Sequence, residues 1–499
     1  MSELSLSGVL AVVTPENCRM PLPATAGGVE VRADLFDSKE ESLELIASIS
    51  KTRPVLVTPR HSSQGGGWRG TELERAAYCL EAFGRGASLA DVEHKSEAAG
   101  QLLGSGKPVL LSWHDFDGMI APEALARLTL DMEACGPAAI KVVPTAGRLG
   151  DAVRMLEWVA QRPPGGASRI GFAMGAAGGP SRILSLSRGA PWTYGAHGLG
   201  VAPGQLPVQQ LADLYRVDQL DRETRVYGVA GNPVKHSLSP QMHNPALRAA
   251  GLNAVYVPIY LSEFSELEDC WESLGLDGLS VTIPFKLDAL ALANVVDERA
   301  SNSGAANTLV RVASENGWAL HGYNTDFNGV LDPLERRLGN LADLDAAILG
   351  NGGAARGAAR ALLDVGARPT LYYRSKERGG AVAEELGVSS GLLGELAPGN
   401  LHRVIINATP LGLKADDPSP VPGEVFDSDT IAFDMVYDPP ETRFIQDARS
   451  KGAEVIRGDE MLVAQGLVQF ELFTGQKASR QAFDSSLQAA RSTRSPERP

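Results

Sequence analysis

Paired cysteines are missing from this chain. Its four cysteines, Cys18, Cys79, Cys135 and Cys270, lie far apart in 499 residues, and no C-x-x-C spacing occurs. That argues against a disulfide framework and a cysteine-built zinc site, and it fits a reducing compartment. No apolar run approaches the ~20 residues that a bilayer-crossing helix needs. The opening MSELSLSGVLAVV lacks a basic stretch followed by an apolar core, so it does not read as a secretory leader, and a cytoplasmic protein is expected. There is no long basic run, and the formal net charge is −14. Both observations argue against nucleic acid or an anionic membrane surface as a partner. Small anionic substrates are not excluded, since they need only a local cluster of arginines.

The hydrophobic fraction of 43% and the charged fraction of 21% are those of an ordinary soluble protein, and the length suits two to four domains. Residues 1–218 carry eight β-rich runs: GVLAVV, GVEVRAD, RPVLVTPR, ASLADVE, KPVLLSWHD, PAAIKVVP, ASRIGFAMG and PWTYGAHG. Helical stretches separate most of them, which predicts an α/β fold beginning with a (β/α)8 barrel whose chemistry sits at the carboxyl ends of its strands. The barrel is short for its class. Its first connection, TPENCRMPLPATAG, holds three prolines, so the first helix is expected to be reduced or missing. A charged linker, 219–226, leads to a second α/β region at 227–335, completed by 464–490. Residues 336–463 start afresh with DAAILGNGGAARGAARALLDVG, a strand, a glycine turn and an alanine-rich helix that predict a Rossmann-type domain. The tail, 491–499, is expected to be disordered.

Gly350, Gly352 and Ala355 form G-x-G-x-x-A between that strand and helix. Glycines there let the backbone approach a pyrophosphate, and the helix N-terminus stabilises its charge. An NAD site places a carboxylate about 20 residues further on. Here Tyr373, Arg374, Ser375, Lys376 and Arg378 make that end cationic, which favours the 2′-phosphate of NADP over a merely solvated basic loop.

Two lysines stand in chemically suggestive contexts. Lys141 lies in AAIKVVP, after LLSWHDF with His114. A lysine attacks a ketone only when neutral, and burial beside arginines favours that form. His114 is then the obvious base, and Glu30, Arg32, Arg60 and Glu93 also fall at or near expected strand ends. Pattern alone leaves Lys141 either a Schiff-base nucleophile or a solvated strand-end lysine. Lys286, in LSVTIPFK, precedes GYNTD with Asp326. Asp326 could hold the Lys286 ammonium while it donates to an alkoxide forming at a reduced carbonyl. A surface lysine at a strand end fits the same spacing. Ser237, Ser239, Thr282 and Asn307 could bind a polyhydroxylated ligand.

Residues 226–478 resemble shikimate dehydrogenase through GNPVKHSLSP, VTIPFK, GAANTL, GYNTD, LGNGGAAR, INATPLG, DMVYDP and MLVAQG, in order. The resemblance implies NADPH-dependent reduction of 3-dehydroshikimate to shikimate, with Lys286 and Asp326 as the catalytic pair. It implies substrate contacts at Ser237, Ser239, Thr282, Asn307, Tyr437 and Gln465. Gly350, Gly352, Gly353, Ala354, Arg374, Ser375, Thr409, Gly458 and Met461 would line the cofactor. Ser280 and Phe285 stand where Asn and His are common. Residues 8–215 resemble type I 3-dehydroquinate dehydratase through GVEVRAD, TPRHSSQGG, ADVE, SWHDF, IKVVP, MGAAGGPSR and APGQ. That implies a Schiff base on Lys141, proton transfer by His114, and substrate binding by Glu30, Arg32, Arg60, Arg182 and Gln205. Two positions depart from the family: Gln64 replaces a glutamate that supports the histidine, and Val201 replaces a serine.

The domain order is similar to that of the bifunctional plant enzymes, whose first product is the second site's substrate. A quinate dehydrogenase, or a non-catalytic sensor retaining the folds, are the other readings; the presence of Lys286 and Asp326 speaks against the sensor in the second half, which leaves a shikimate or quinate dehydrogenase with a weakened or non-catalytic scaffold barrel as the alternative. Expected partners are the small substrates 3-dehydroquinate, 3-dehydroshikimate and shikimate, with no metal.

Overall fold

The structure is a computed structural model that describes residues 6–163, 165–198, 200, 202, 204–315 and 317–493, with the backbone alone for 376–378 and 493. Val201 and residues 494–499 of the expected tail lie outside the described residues. The chain divides into two compact units, residues 1–240 with 247–283, and 241–246 with 284–499.

The first unit begins with strands β1 (Gly8–Val13), β2 (Gly28–Val31), β3 (Val55–Val57), β4 (Leu89–Glu93), β5 (Val109–His114), β6 (Ala139–Val143), β7 (Ser168–Gly171) and β8 (Trp192–Ala196). They form one parallel eight-stranded sheet, ordered β7-β6-β5-β4-β3-β2-β1-β8. Helices α1 (Lys39–Ile49), α2 (Glu72–Gly84), α3 (Glu97–Gly104), α4 (Pro122–Ala134), α5 (Leu149–Ala160) and α6 (Gly179–Leu184) follow β2 to β7 in turn. No helix stands between β1 and β2 among the described residues, as the prolines of that connection predict.

Strand alternation sorts the core into two layers. Val29, Val31, Ala90, Val92, Leu111, Ile140 and Val142 pack outward in the cluster that meets the helices. Leu10, Leu56, Leu89, Leu110, Ala139 and Ile170 fill the interior. The residues between the outward-facing positions therefore point inward: Glu30, Asp91, Ser112 and Lys141. Lys141 is the third of five residues in β6, so it stands mid-strand and not at the strand's end as its sequence context suggested.

The first unit continues with β9 (Arg225–Gly231), the start of α7 (Ser239–Ala249), β10 (Ala254–Tyr260), α8 (Glu266–Leu274) and β11 (Leu276–Val281). β9 pairs in parallel with both β10 and β11. The expected linker thus ends inside a strand. Reciprocal contacts join this segment to the barrel. Glu266 accepts the Leu149 N–H at the start of α5 at 2.5 Å, and Arg188 donates to the Ser273 and Leu274 carbonyls at the end of α8 at 3.0 and 3.1 Å.

The second unit holds α9 (Lys286–Leu292), β12 (Val295–Val296), α10 (Glu298–Ser303), β13 (Thr308–Ser314), β14 (Gly317–Tyr323) and α11 (Asp326–Leu338). β13 and β14 form an antiparallel hairpin, with β12 parallel to β14. Then come β15 (Asp345–Leu349), α12 (Gly353–Asp364), β16 (Arg368–Tyr373), α13 (Lys376–Leu386), β17 (Ser389–Leu392), β18 (Val404–Asn407), β19 (Ile431–Asp434), α14 (Arg443–Ser450) and β20 (Glu454–Ile456). Their sheet runs β17-β16-β15-β18-β19-β20. This is the doubly wound order, with its reversal between β15 and β18, where such folds bind ligands. Helices α15 (Gly458–Thr474) and α16 (Arg480–Thr493) end the described chain, so the first residues of the expected tail belong to a helix. No described helix is long and apolar enough to cross a membrane.

Candidate active sites

The inward layer of the barrel is polar at one level. Lys141 is 5% exposed; its Nζ donates to Asp91 Oδ2 at 3.1 Å, lies 4.0 Å from Glu30 Oε1, and sits 4.2 Å from the centroid of the Tyr194 ring. Arg60 binds Asp91 Oδ2 at 2.7 Å, Glu93 Oε1 at 3.2 Å and Ser112 Oγ at 2.6 Å. Thr58 donates to Glu30 at 2.8 Å. Burial lowers the Lys141 pKa, and the nearby Arg60 charge lowers it further. Asp91 and Glu30 oppose this without reversing it. The site therefore favours the neutral amine more than water does.

His114 ends β5. Its backbone N–H and its Nδ1 both meet Gln64 Oε1, at 3.0 and 3.2 Å. An amide oxygen only accepts, so Nδ1 carries the proton and Nε2 keeps its lone pair. Burial first, then Arg60 and Lys141, push the imidazole pKa well below its usual value. His114 is therefore neutral at neutral pH and able to take a proton. Phe116 stacks on its ring at 6.4 Å.

One cavity is lined by Glu30, Arg32, Arg60, His114, Lys141, Arg182 and Gln205, together with Gln64. Every residue expected at the first site therefore shares one wall. Arg32 is held bidentately by Asp34 at 2.9 and 2.8 Å, and Arg182 lies 4.6 Å from the Phe172 ring centroid. Glu93 turns instead to Arg60 and Arg75. Asp91, Ser112 and Tyr194 were missed in the sequence. The alternation in LADVE puts Asp91 on the same face as Glu93, and that signal could have found it.

In the second unit, Lys286 opens α9 and Asp326 opens α11. Lys286 Nζ meets Asp326 Oδ2 at 2.5 Å. Asn307 donates to Asp326 Oδ1 at 2.9 Å and to Thr325 at 3.0 Å, while its own oxygen accepts the Thr325 N–H at 2.9 Å. A carboxylate at a helix N-terminus is favoured by the helix dipole. Lys286 lies in the first turn of a helix, beyond the strand that its sequence context suggested. Gln465 is buried on α15 beside Thr325, and the Tyr437 carbonyl accepts from Arg491 of α16 at 2.6 Å.

The glycine turn lies at the doubly wound reversal. Gly350 has φ +115°, and a Cβ there would come within 3.1 Å of the Ala408 carbonyl. A Cβ at Gly352 or Gly353 would meet nothing within 4 Å, so the N-terminus of α12 is open to a ligand. Arg374 is exposed just beyond β16, and Ser375 stands at the position preceding α13. A Cβ at Gly458 would strike Val436, and Met461 packs close to Gly329. Ser237 and Ser239 follow β9 and Thr282 follows β11, at the carboxyl ends of these strands in the first unit; Thr282 N–H donates to Ala230 at 2.9 Å.

Comparison with known proteins covers both halves of the chain. The model for type I 3-dehydroquinase matches residues 20–222. The model for the shikimate dehydrogenase substrate binding domain matches 229–309, and that for the shikimate 5'-dehydrogenase C-terminal domain matches 458–488. The bifunctional 3-dehydroquinate dehydratase/shikimate dehydrogenase of Arabidopsis thaliana, a chloroplastic protein, is 32% identical over 91% of this chain and 79% of its own length. The NADP(+) shikimate dehydrogenase of Haloarcula marismortui is 38% identical over 51% of this chain and 94% of its own length. The solved shikimate dehydrogenase of Aquifex aeolicus covers 54% of this chain and 99% of itself, at 33% identity and a TM-score of 0.49. With the plant relative aligned through both halves, this chain belongs to the bifunctional 3-dehydroquinate dehydratase/shikimate dehydrogenase family.

Proposed function

We propose that the two reactions of this bifunctional shikimate-pathway enzyme run on separate lysines, Lys141 for dehydration and Lys286 for reduction. The enzyme dehydrates 3-dehydroquinate to 3-dehydroshikimate and reduces that product to shikimate with NADPH. In the barrel, the Lys141 amine attacks the substrate ketone and loses water to form an iminium. That cation acidifies the neighbouring C–H, and His114 Nε2 takes the proton and returns it to the departing hydroxyl. Hydrolysis then frees Lys141. Glu30, Arg32, Arg60, Arg182 and Gln205 hold the carboxylate and hydroxyls of the substrate. The single observation that carries this reading is Lys141 buried in the barrel interior in the same cavity as a neutral histidine.

In the second half, Lys286 holds the proton that reaches the developing alkoxide, and Asp326 and Asn307 fix its direction. Ser237, Ser239, Thr282, Asn307, Tyr437 and Gln465 take the ring hydroxyls and carboxylate. The residues fit a dinucleotide: the Gly350 turn admits close backbone approach, α12 presents its N-terminus, and Arg374 offers a cation where NADP carries its extra phosphate. Gly350, Gly352, Gly353, Ala354, Ser375, Thr409, Gly458 and Met461 would complete that lining. Bound NADPH supplies the hydride for the carbonyl carbon.

Functional limits at 1–218, 227–335 with 464–490, and 336–463 suit this division; Gln469 of α15 donates to Thr308 of β13 at 3.0 Å, which supports the return of 464–490 to that domain. The four free thiols suit a cytoplasmic setting; a tagged chain found in a plastid would overturn that assignment. A coupled assay tests the reaction scheme. 3-Dehydroquinate plus NADPH should yield shikimate. Lys141→Ala should stop at the first substrate, and Lys286→Ala should accumulate 3-dehydroshikimate. Shikimate formation by both variants at the wild-type rate would refute the assignment.

A further inference from the structure

Three loops leave the carboxyl ends of β15, β18 and β19 side by side in the second unit. Two of them are fastened by one pair of side chains that bears none of the roles above. Asn407 is the last residue of β18 and Asp434 the last of β19; they face each other in the sheet register, and both are 0% exposed. Asn407 Nδ2 donates to Asp434 Oδ1 at 3.0 Å and to the Leu411 carbonyl at 3.0 Å. Asn407 Oδ1 accepts the Thr409 N–H at 3.0 Å and the Thr409 hydroxyl at 2.7 Å. Every donor and both lone pairs of this amide are therefore in use, and its orientation is fixed. Asp434 Oδ1 also accepts the Val436 N–H at 3.0 Å, and Oδ2 accepts the Thr442 hydroxyl at 2.5 Å.

The pair thus closes the 408–411 turn with one residue and the turn after β19 with the other. Both turns back onto the cleft. The Gly350 turn rests on the Ala408 carbonyl, and the start of α15 at Gly458 rests on Val436. The groups bonded to Asp434 are an amide, a hydroxyl and a backbone N–H, all neutral, and burial raises its pKa to about 6. A carboxylate kept in so dry a place without a cation marks a site where stability is given up for geometry.

We propose that Asn407 and Asp434 form a positioning pair for the nucleotide cleft, holding Thr409 and the turn before Tyr437 in the arrangement that binds NADPH without touching it themselves. This rests on the reading of the cleft as the NADPH site. Asn407→Asp removes both amide donors and sets a second carboxylate against Asp434. It should raise the KM for NADPH and the Kd from NADPH fluorescence titration at least tenfold, while kcat at saturating NADPH stays within threefold. Asp434→Asn keeps an acceptor for the Asn407 amide and should raise the KM for NADPH by less than Asn407→Asp does, with kcat again nearly constant. The double variant N407D/D434N removes the clash of two carboxylates, at the cost of the Val436 N–H bond to Oδ1, and should recover at least threefold of the lost affinity.

Asn407→Ser adds no charge and should show the same split at smaller size, which keeps the test open if N407D does not fold. Wild-type protein that binds NADPH while N407D and N407S bind it equally well overturns the pair alone. So does an N407D defect that D434N leaves unrelieved. Wild-type protein that binds no NADPH overturns the reading of the cleft and the pair with it.

Discussion

Lys141 is 5% exposed on the inward face of β6, whereas the Lys286 side chain at the start of α9 is 34% exposed beside Asp326. On the proposed assignment, the two lysines are asked for opposite things. A nucleophile must shed its proton before it attacks, so it gains from dryness and from the arginine that lowers its pKa. A general acid must hold its proton until the alkoxide forms, so it gains from water and a carboxylate within hydrogen-bond reach. The carboxylate at Lys141 is not free to serve it in that way. Asp91 is shared with Arg60 and Ser112, so its charge is already spread over other donors. The difference between the halves is thus one of burial and carboxylate sharing, not of residue type.

The comparison breaks most sharply at Lys141. Lys141→Ala should bring dehydration to the background rate and remove the covalent adduct that borohydride traps from wild type with 3-dehydroquinate, while reduction of 3-dehydroshikimate is unchanged. Dehydration surviving in this variant would show the barrel lysine to be structural. Lys286→Ala should be graver for rate than for binding. Loss of one positioned proton donor costs about 10²- to 10⁴-fold, read as kcat of the reductase, with the KM for NADPH nearly constant and dehydration intact. An equal rise in KM with kcat preserved would make Lys286 a binding residue.

A smaller effect is expected at Arg374. Hydrogen bonds to a charged group contribute about 1.5–3 kcal/mol, and each 1.4 kcal/mol is about tenfold in affinity. Arg374→Asp should therefore raise the KM for NADPH by about 10- to 100-fold and leave that for NADH nearly unmoved. An unchanged preference would mean that the phosphate is held elsewhere.

How much of this could be read from the chain follows from what each feature depends on. The eight barrel runs and the glycine turn are local signals, a few apolar residues or a G-x-G-x-x-A in succession, and they reappear as β1–β8 and as the start of α12. The missing first helix was equally local, written in three prolines. Asp91 is a different case. Its face is legible in the alternation of LADVE, but its partners Ser112 and Lys141 meet it only because β4 stands beside β5 and one strand from β6, a neighbourhood that no window of sequence contains. The level of Lys141 in the strand is not legible, because AAIKVVP shows an apolar run without showing where the strand stops. The contacts that cross the expected linker are not legible in the sequence either. Glu266 and Arg188 bond between the barrel and the segment after it, and such long-range capping leaves no periodic trace.

The subtlest difference between the halves lies in how each supports its proton-carrying group. Asp326 gives Lys286 a full charge; Gln64 gives His114 only a dipole. The groups facing His114 are Gln64 at its Nδ1, and Arg60, Lys141, Asp91 and Arg32 through their charges, and burial outweighs them all. Because the folded pKa lies below the ordinary value, His114 stays neutral as pH falls through the usual histidine range, and the acidic limb of dehydratase kcat, read with Lys141 already joined to the substrate, should lie below pH ~6.5. Gln64→Glu restores a carboxylate. A unit charge at about 4 Å contributes about 1–4 kcal/mol to an imidazolium, or about one to three pKa units. The limb should move up by at least about one unit. Gln64→Ala should instead lower kcat at every pH, because the tautomer is no longer set, without the upward move. If Gln64→Glu leaves the limb in place, His114 is not the group that limits dehydration, and the barrel's base must be sought elsewhere around Lys141.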